Sequence, residues 1–161
     1  MLSPKALRVL LLLMLIAPIS AQAEENWYNV DHFYLQGGTY VHFQSSDDHT
    51  GSNVLVALEA FNNNDWLAGL ALFDNSFGQF SQYLYLGKNW NFDGSFDGFH
   101  AKLTAGIIHG YTDEFEDKIP FNKNGFAPGL VPSVGYKKGR FGVDMILLGN
   151  SAMLFTVGMD L

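Results

Sequence analysis

Met153-Leu154-Phe155-Thr156-Val157-Gly158-Met159-Asp160-Leu161 is the stretch on which the fold turns. In an extended chain Met153, Phe155, Val157, Met159 and Leu161 fall on one side. Leu154, Thr156, Gly158 and Asp160 fall on the other. Successive side chains of a strand point to opposite faces, so a period of two is a strand signature. Working back from it, Phe141, Val143, Met145 and Leu147 oppose Gly142, Asp144, Ile146 and Leu148 in the same way. Further back, Phe99, Ala101, Leu103, Ala105 and Ile107 oppose His100, Lys102, Thr104, Gly106 and Ile108. Val54, Val56, Leu58 and Ala60 oppose Leu55, Ala57, Glu59 and Phe61. Extended over the chain, the pattern predicts eight strands, at 33–44, 52–61, 65–74, 80–91, 97–110, 129–137, 140–148 and 151–161.

The connections alternate in length. Asn62-Asn63-Asn64, Asn91–Phe96 and Lys137-Lys138-Gly139-Arg140 read as short polar turns, whereas 45–51, 75–79 and 111–128 are longer or less regular. Bacterial outer-membrane barrels pair short periplasmic turns with longer outer loops, and eight strands is their smallest size. The expected fold is therefore all-β, an eight-stranded antiparallel up-and-down transmembrane β-barrel. One apolar and one mixed face also suits a soluble barrel or sandwich. The two differ in direction, since a membrane barrel turns its apolar face outward. Glu59, Lys102, Asp144, Asp160 and His100 share the side opposite the aliphatic row. On the inside of a barrel they are expected to form a paired network, because isolated buried charges are costly.

Composition narrows the function classes. The chain has 161 residues, 15% aromatic, 16% charged and without cysteine, and carries a formal charge of −7. The low charge fraction argues against disorder. Without cysteine there is no disulfide framework and no thiolate metal site. Nine scattered basic residues do not make the basic face a nucleic acid requires. His32, His42, His49, His100 and His109 show no metal-ligand spacing, and no metal is expected. Lys5 and Arg8 precede an apolar run from Val9 to Ile16, followed by Pro18, Ser20 and Ala21-Gln22-Ala23. This is the form of a secretory signal peptide, so 1–23 is read as the signal and 24–161 as the barrel. Its removal takes the charge from −7 to −9.

In an up-and-down barrel, strands one and three end at the same rim. His42, late in the first, would then share that rim with Asp74 and Ser76, after the third. An imidazole, a carboxylate and a hydroxyl suffice for acyl transfer. The competing reading is a solvated loop with an Asx-type turn.

Three stretches in order resemble the outer-membrane lipid A palmitoyltransferase (PagP) family. Thr39-Tyr40-Val41-His42 is similar to that family's T-W-H segment. Phe73-Asp74-Asn75-Ser76-Phe77, followed by Tyr85-Leu86-Gly87-Lys88-Asn89-Trp90, is similar to its F-x-D-S-W and G-Y-G-W stretch. Leu103-Thr104-Ala105-Gly106-Ile107 and Pro132-Ser133-Val134-Gly135-Tyr136 resemble its T-A-G-V and A-S-V-G-Y region. Asn75 departs from the family pattern, in which the aspartate directly precedes the serine. The resemblance implies His42, Asp74 and Ser76 as catalytic residues and Gly87 as the floor of an acyl pocket. It implies a monomeric outer-membrane enzyme that moves a palmitoyl chain from a glycerophospholipid to a hydroxyl of lipid A, without a cofactor. Lipid access beside strand six would follow from Pro128 and Pro132. A non-enzymatic small barrel and a lipid A deacylase are the other readings of the same pattern.

Overall fold

The computed structural model describes residues 29–42, 54–149 and 152–161, with side chains in the first segment up to Thr39. The signal sequence at 1–23 lies outside the described residues. Eight strands follow one another: β1 (Val30–His42), β2 (Val54–Asn62), β3 (Trp66–Asp74), β4 (Phe80–Asn91), β5 (Phe99–His109), β6 (Phe126–Lys138), β7 (Phe141–Leu148) and β8 (Ala152–Asp160). Each pairs antiparallel with the next, and β8 returns to β1, so the sheet closes on itself. Closure removes both edges, which would otherwise expose a row of unpaired backbone groups. Among the described residues no helix is long and apolar enough to cross a membrane, which leaves a crossing by strands untouched.

The stagger of the barrel follows from its register. From Gly38 the pairing runs one way through Leu55 and Phe73 to Ser81 on β4. It runs the other way through Thr156, Asp144, Gly135 and His100 to Asn91, also on β4. The two paths meet β4 ten residues apart, at 81 and 91. A stagger of that size in eight strands corresponds to a strand tilt of about 40°.

Two strand starts differ from the sequence expectation by three residues, the others by two at most. β1 begins at Val30 rather than 33, and β6 at Phe126 rather than 129. The second has a clear local cause. Asn124 and Gly125 take positive φ, 53° and 81°. Lys123 N donates to Phe126 O at 2.9 Å, and Phe126 N donates to Lys123 O at 3.1 Å. Positive φ at both central residues is the turn that Asn-Gly favours, and it launches β6 directly. Pro128 and Pro132 therefore lie within β6, facing outward and paired with Ile107 and Leu103 of β5. On its other side β6 pairs with β7 only from Ser133 to Lys138. Among the described residues the stretch Phe126–Pro132 has β5 as its one neighbouring strand in the sheet.

The outer surface is an apolar belt. Val54, Val56, Leu58, Leu70, Leu72, Leu84, Leu86, Ile107, Leu130, Val134, Val143, Phe155 and Val157 are all exposed. Aromatic rings mark both ends: Phe80 and Phe126 at one rim, Trp90, Phe99, Tyr136 and Phe141 at the other. The core is the lumen, where Tyr34, Ala57, Phe61, Leu67, Ala71, Tyr83 and Tyr85 pack together. Inward glycines make room for these rings. A Cβ on Gly142 would lie 2.6 Å from Tyr34 Oη, and one on Gly129 would lie 2.9 Å from Tyr83 Cε2.

Candidate functional site

The turn rim carries the 63–65, 92–98 and 139–140 connections, together with the first residues of β1 and the last of β8. The loop rim carries 75–79 and 110–125. Asp74 ends β3, paired with Phe80 of β4, and alternation puts it on the outer face with Leu70 and Leu72. Ser76 sits in the following turn; both are half-buried. His42 ends β1, its backbone paired with Ala152 of β8. Its side chain lies outside the described residues. β1 and β3 run in the same direction, so the backbone of His42 and the residues Asp74 and Ser76 share the loop rim.

Asn75, between them, is what organises that rim. It is almost fully buried. Its Oδ1 accepts from Phe77 N and Gln79 N, both at 3.0 Å. The first of these bonds is the Asx turn that competed with a catalytic reading. The turn is not a free solvated loop, however. Asn75 Nδ2 donates to Gly110 O at 3.3 Å, and Gln79 Nε2 donates to Thr112 O at 3.3 Å and Thr112 Oγ1 at 3.2 Å. Thr112 N donates back to Gln79 Oε1 at 3.3 Å. Phe77 stacks on Phe115, centroids 4.2 Å apart. The β3–β4 turn is thereby tied to the β5–β6 loop. Sequence reading singled out the flanking Asp74 and Ser76 and treated Asn75 as an interruption. The Asn-x-Phe-Gly-Gln string was the available signal, since an Asx side-chain oxygen at that point accepts from both Phe77 N and Gln79 N.

The lumen below the loop rim divides into two chemistries. Nearer the loops, inward positions are Leu55, Ala71, Phe73, Tyr83, Ile108, Ala127, Val131, Ala152 and Leu154, with Ser81 the polar exception. Nearer the turns, the expected ionic network is present. Lys102 Nζ lies 2.7 Å from Glu59 Oε2 and 3.0 Å from Oε1, and Tyr85 Oη donates to Glu59 Oε1 at 2.9 Å. His100 Nε2 lies 2.8 Å from Asp144 Oδ1. Tyr34 Oη donates a long bond, 3.5 Å, to Asp144 Oδ2. Thr156 Oγ1 donates to Gln36 Oε1 at 2.9 Å. Asp160, at the rim itself, pairs with Lys137 at 2.7 Å. Glu59, Lys102, His100 and Asp144 are all buried. Each has a partner because an unpaired buried charge costs several kcal/mol, of order 3–5. A small polar cavity of about 60 Å³ opens among them, lined in part by Tyr34, Asn89, His100, Lys102 and Asp144.

Gly87 faces the lumen beside this network, paired with Thr104 and Leu67. A Cβ there would lie 2.8 Å from Leu103 O and from Thr104 Cγ2. Since Leu103 O is backbone, any side chain at this position must push β4 away from β5. Among the described residues no group of three or more His, Asp or Glu is placed to hold a metal ion.

No family model matches the chain, and no curated protein matches it. Among solved structures, one of a protein with unknown function from Clostridium acetobutylicum is similar over 81% of this chain and 98% of that one. The identity is 14% and the TM-score 0.22.

Proposed function

We propose that the chain is a transmembrane barrel of the bacterial outer membrane and a divergent lipid A palmitoyltransferase, related to the PagP family. The membrane part rests on the outer face. On β4 the outward rings Phe80 and Trp90 stand ten residues apart, and on β6 Phe126 and Tyr136 do the same. At about 3.3 Å per residue and a tilt of about 40°, ten residues rise about 25 Å. That is the height of the apolar band between aromatic girdles in such barrels. A soluble barrel turns its polar face to water, and here the charges are inside. Lys88, outward on β4, sends its amine to Asn64 O at the turn rim and lies 5.7 Å over the Trp66 ring. A lysine in a lipid-facing wall escapes in this way.

The single observation carrying the enzymatic reading is the divided lumen. An acyl chain needs an apolar passage, and the half beneath His42, Asp74 and Ser76 is lined by alanine and aliphatic side chains. The Glu59–Lys102 pair and its neighbours would stop the chain at a fixed depth, with Gly87 at that floor. The donor would approach beside β6, where Phe126–Pro132 has, among the described residues, a neighbouring strand on one side only. His42 takes the proton of the lipid A hydroxyl, aided by Asp74. The freed oxygen attacks the ester carbonyl of the glycerophospholipid. The lysophospholipid oxygen leaves and takes that proton, with Ser76 as a transition-state donor; with Ser76 as nucleophile, its Oγ first takes the acyl group as the lysophospholipid leaves, and the lipid A hydroxyl then takes the acyl group from Ser76. The reaction exchanges one ester for another and needs no cofactor.

A second reading, a non-enzymatic barrel, is favoured by one feature: Tyr83 and Tyr85 stack with centroids 4.6 Å apart inside the lumen and occupy space a chain would need. Mass spectrometry of lipid A separates the two. Cells expressing the wild type are expected to gain a palmitoyl mass on lipid A, and cells expressing His42→Ala to gain none while the barrel still folds. Unchanged lipid A in both selects the non-enzymatic barrel, and loss of an acyl chain a deacylase. Equal palmitate addition by both removes His42 from the mechanism.

A further inference from the structure

The outward positions of β3 to β6 are apolar between the girdles except at a few points. Lys88 reaches the turn rim, as described. The others lie together at the loop end. Gln82 is exposed on β4, directly across from His109 on β5. His109 is in turn paired with Phe126 on β6, its ring 4.4 Å from the phenyl centroid. Asp74 is diagonal to Gln82, one outward position further along β3, where Leu72 pairs with Gln82 and Asp74 with Phe80. Polar groups facing hydrocarbon are costly, and in a membrane wall they are by default functional. Gln82 lies two residues inside the Phe80 ring, and so just below the headgroup level rather than in water.

We propose that Gln82 and His109 bind the headgroup of a zwitterionic phospholipid of the phosphoethanolamine class, seated against the outside of β4–β6. The proposal rests on the membrane-spanning reading of the barrel and not on the acyl-transfer chemistry. The Gln82 amide and a His109 ring N–H are donors for phosphate and ester oxygens. The charge around them selects the headgroup. Asp74 stands on one side, and the β5–β6 loop above carries four acids, Asp113, Glu114, Glu116 and Asp117, against two lysines, Lys118 and Lys123, and so a net negative charge. A headgroup of net negative charge meets repulsion there, whereas a primary ammonium is attracted.

Native mass spectrometry of the folded protein in detergent, with phosphatidylethanolamine or phosphatidylglycerol of matched chains added, tests this. Wild type is expected to retain phosphatidylethanolamine over phosphatidylglycerol. The Gln82→Leu/His109→Leu variant, which only extends the apolar belt, is expected to bind it at least about tenfold more weakly, since both donors are lost. Retention within twofold by the variant, or no headgroup preference in the wild type, overturns the site while leaving the barrel's membrane assignment intact. Failure of the wild type to insert into phosphatidylethanolamine-containing vesicles overturns the site and the membrane reading together.

Discussion

Above Tyr85 the described lumen residues are alanine, glycine, aliphatic and aromatic side chains with Ser81; below it stand Glu59, Lys102, His100 and Asp144. The same eight strands build both halves with the same alternation. The difference is which residues occupy the inward positions, and it teaches how a narrow barrel tolerates charge. Glu59 and Lys102 meet across the lumen, and His100 and Asp144 meet over Gly135 of the strand between them, with a tyrosine hydroxyl completing each carboxylate. Among the described residues of the upper half no charged side chain stands ready to receive one.

The strongest way to break the contrast is to put a charge where no partner exists. Leu154→Glu buries a carboxylate in the apolar half at a cost of at least about 5 kcal/mol, comparable with a whole domain's stability. The expected outcome is no refolding into detergent, read by the strand signal in circular dichroism. A folded barrel at neutral pH would show the upper half to be wet. The next effect comes from the lower half. Lys102→Met strands Glu59 and is expected to cost about 3–5 kcal/mol, whereas Glu59→Leu/Lys102→Met together return to within about 1 kcal/mol of wild type or above it. Denaturant unfolding of both variants reads the difference. Equal loss in single and double variants would mean that shape, not charge pairing, holds this half. The smallest effect falls at the rim. Asn75→Ala removes the buried cap at a cost of about 1–3 kcal/mol, expected mostly as faster amide exchange at Phe77 and Gln79. Unchanged exchange there would dissociate Asn75 from the order of the rim that carries Asp74 and Ser76.

Much of this was legible in the amino-acid order. Alternation alone sorted Glu59, His100, Lys102 and Asp144 to one side, opposite the aliphatic row, and the spacing of the segments predicted eight strands. What alternation cannot carry is stagger. That Glu59 meets Lys102 across the lumen depends on a ten-residue offset around a closed sheet, a property of all eight ladders at once, and that Asp144 meets His100 depends on the registers of the two ladders flanking Gly135. The start of β6 falls inside the stretch 111–128 that reads as a loop, and what moves it is the Asn124-Gly125 turn, a backbone feature that strand alternation does not report. At the rim, Asp74 and Ser76 were visible as chemistry-bearing types. Asn75 was not, because its importance lies in backbone groups, Phe77 N, Gln79 N and Gly110 O, that no side-chain pattern reports.

The uneven ladders have a consequence for how the barrel comes apart. The first and last strands, β1 and β8, meet in an unbroken run from Tyr34–Asp160 to His42–Ala152. The β6–β7 ladder, in contrast, stops at Ser133–Ile146. Pulled open, the molecule parts in the interior of its sequence, at a seam that needs few bonds broken, and its first and last strands stay joined to each other. The fragments on either side of that seam, β1–β6 and β7–β8, would separate as a hinged sheet rather than unroll from a free terminus.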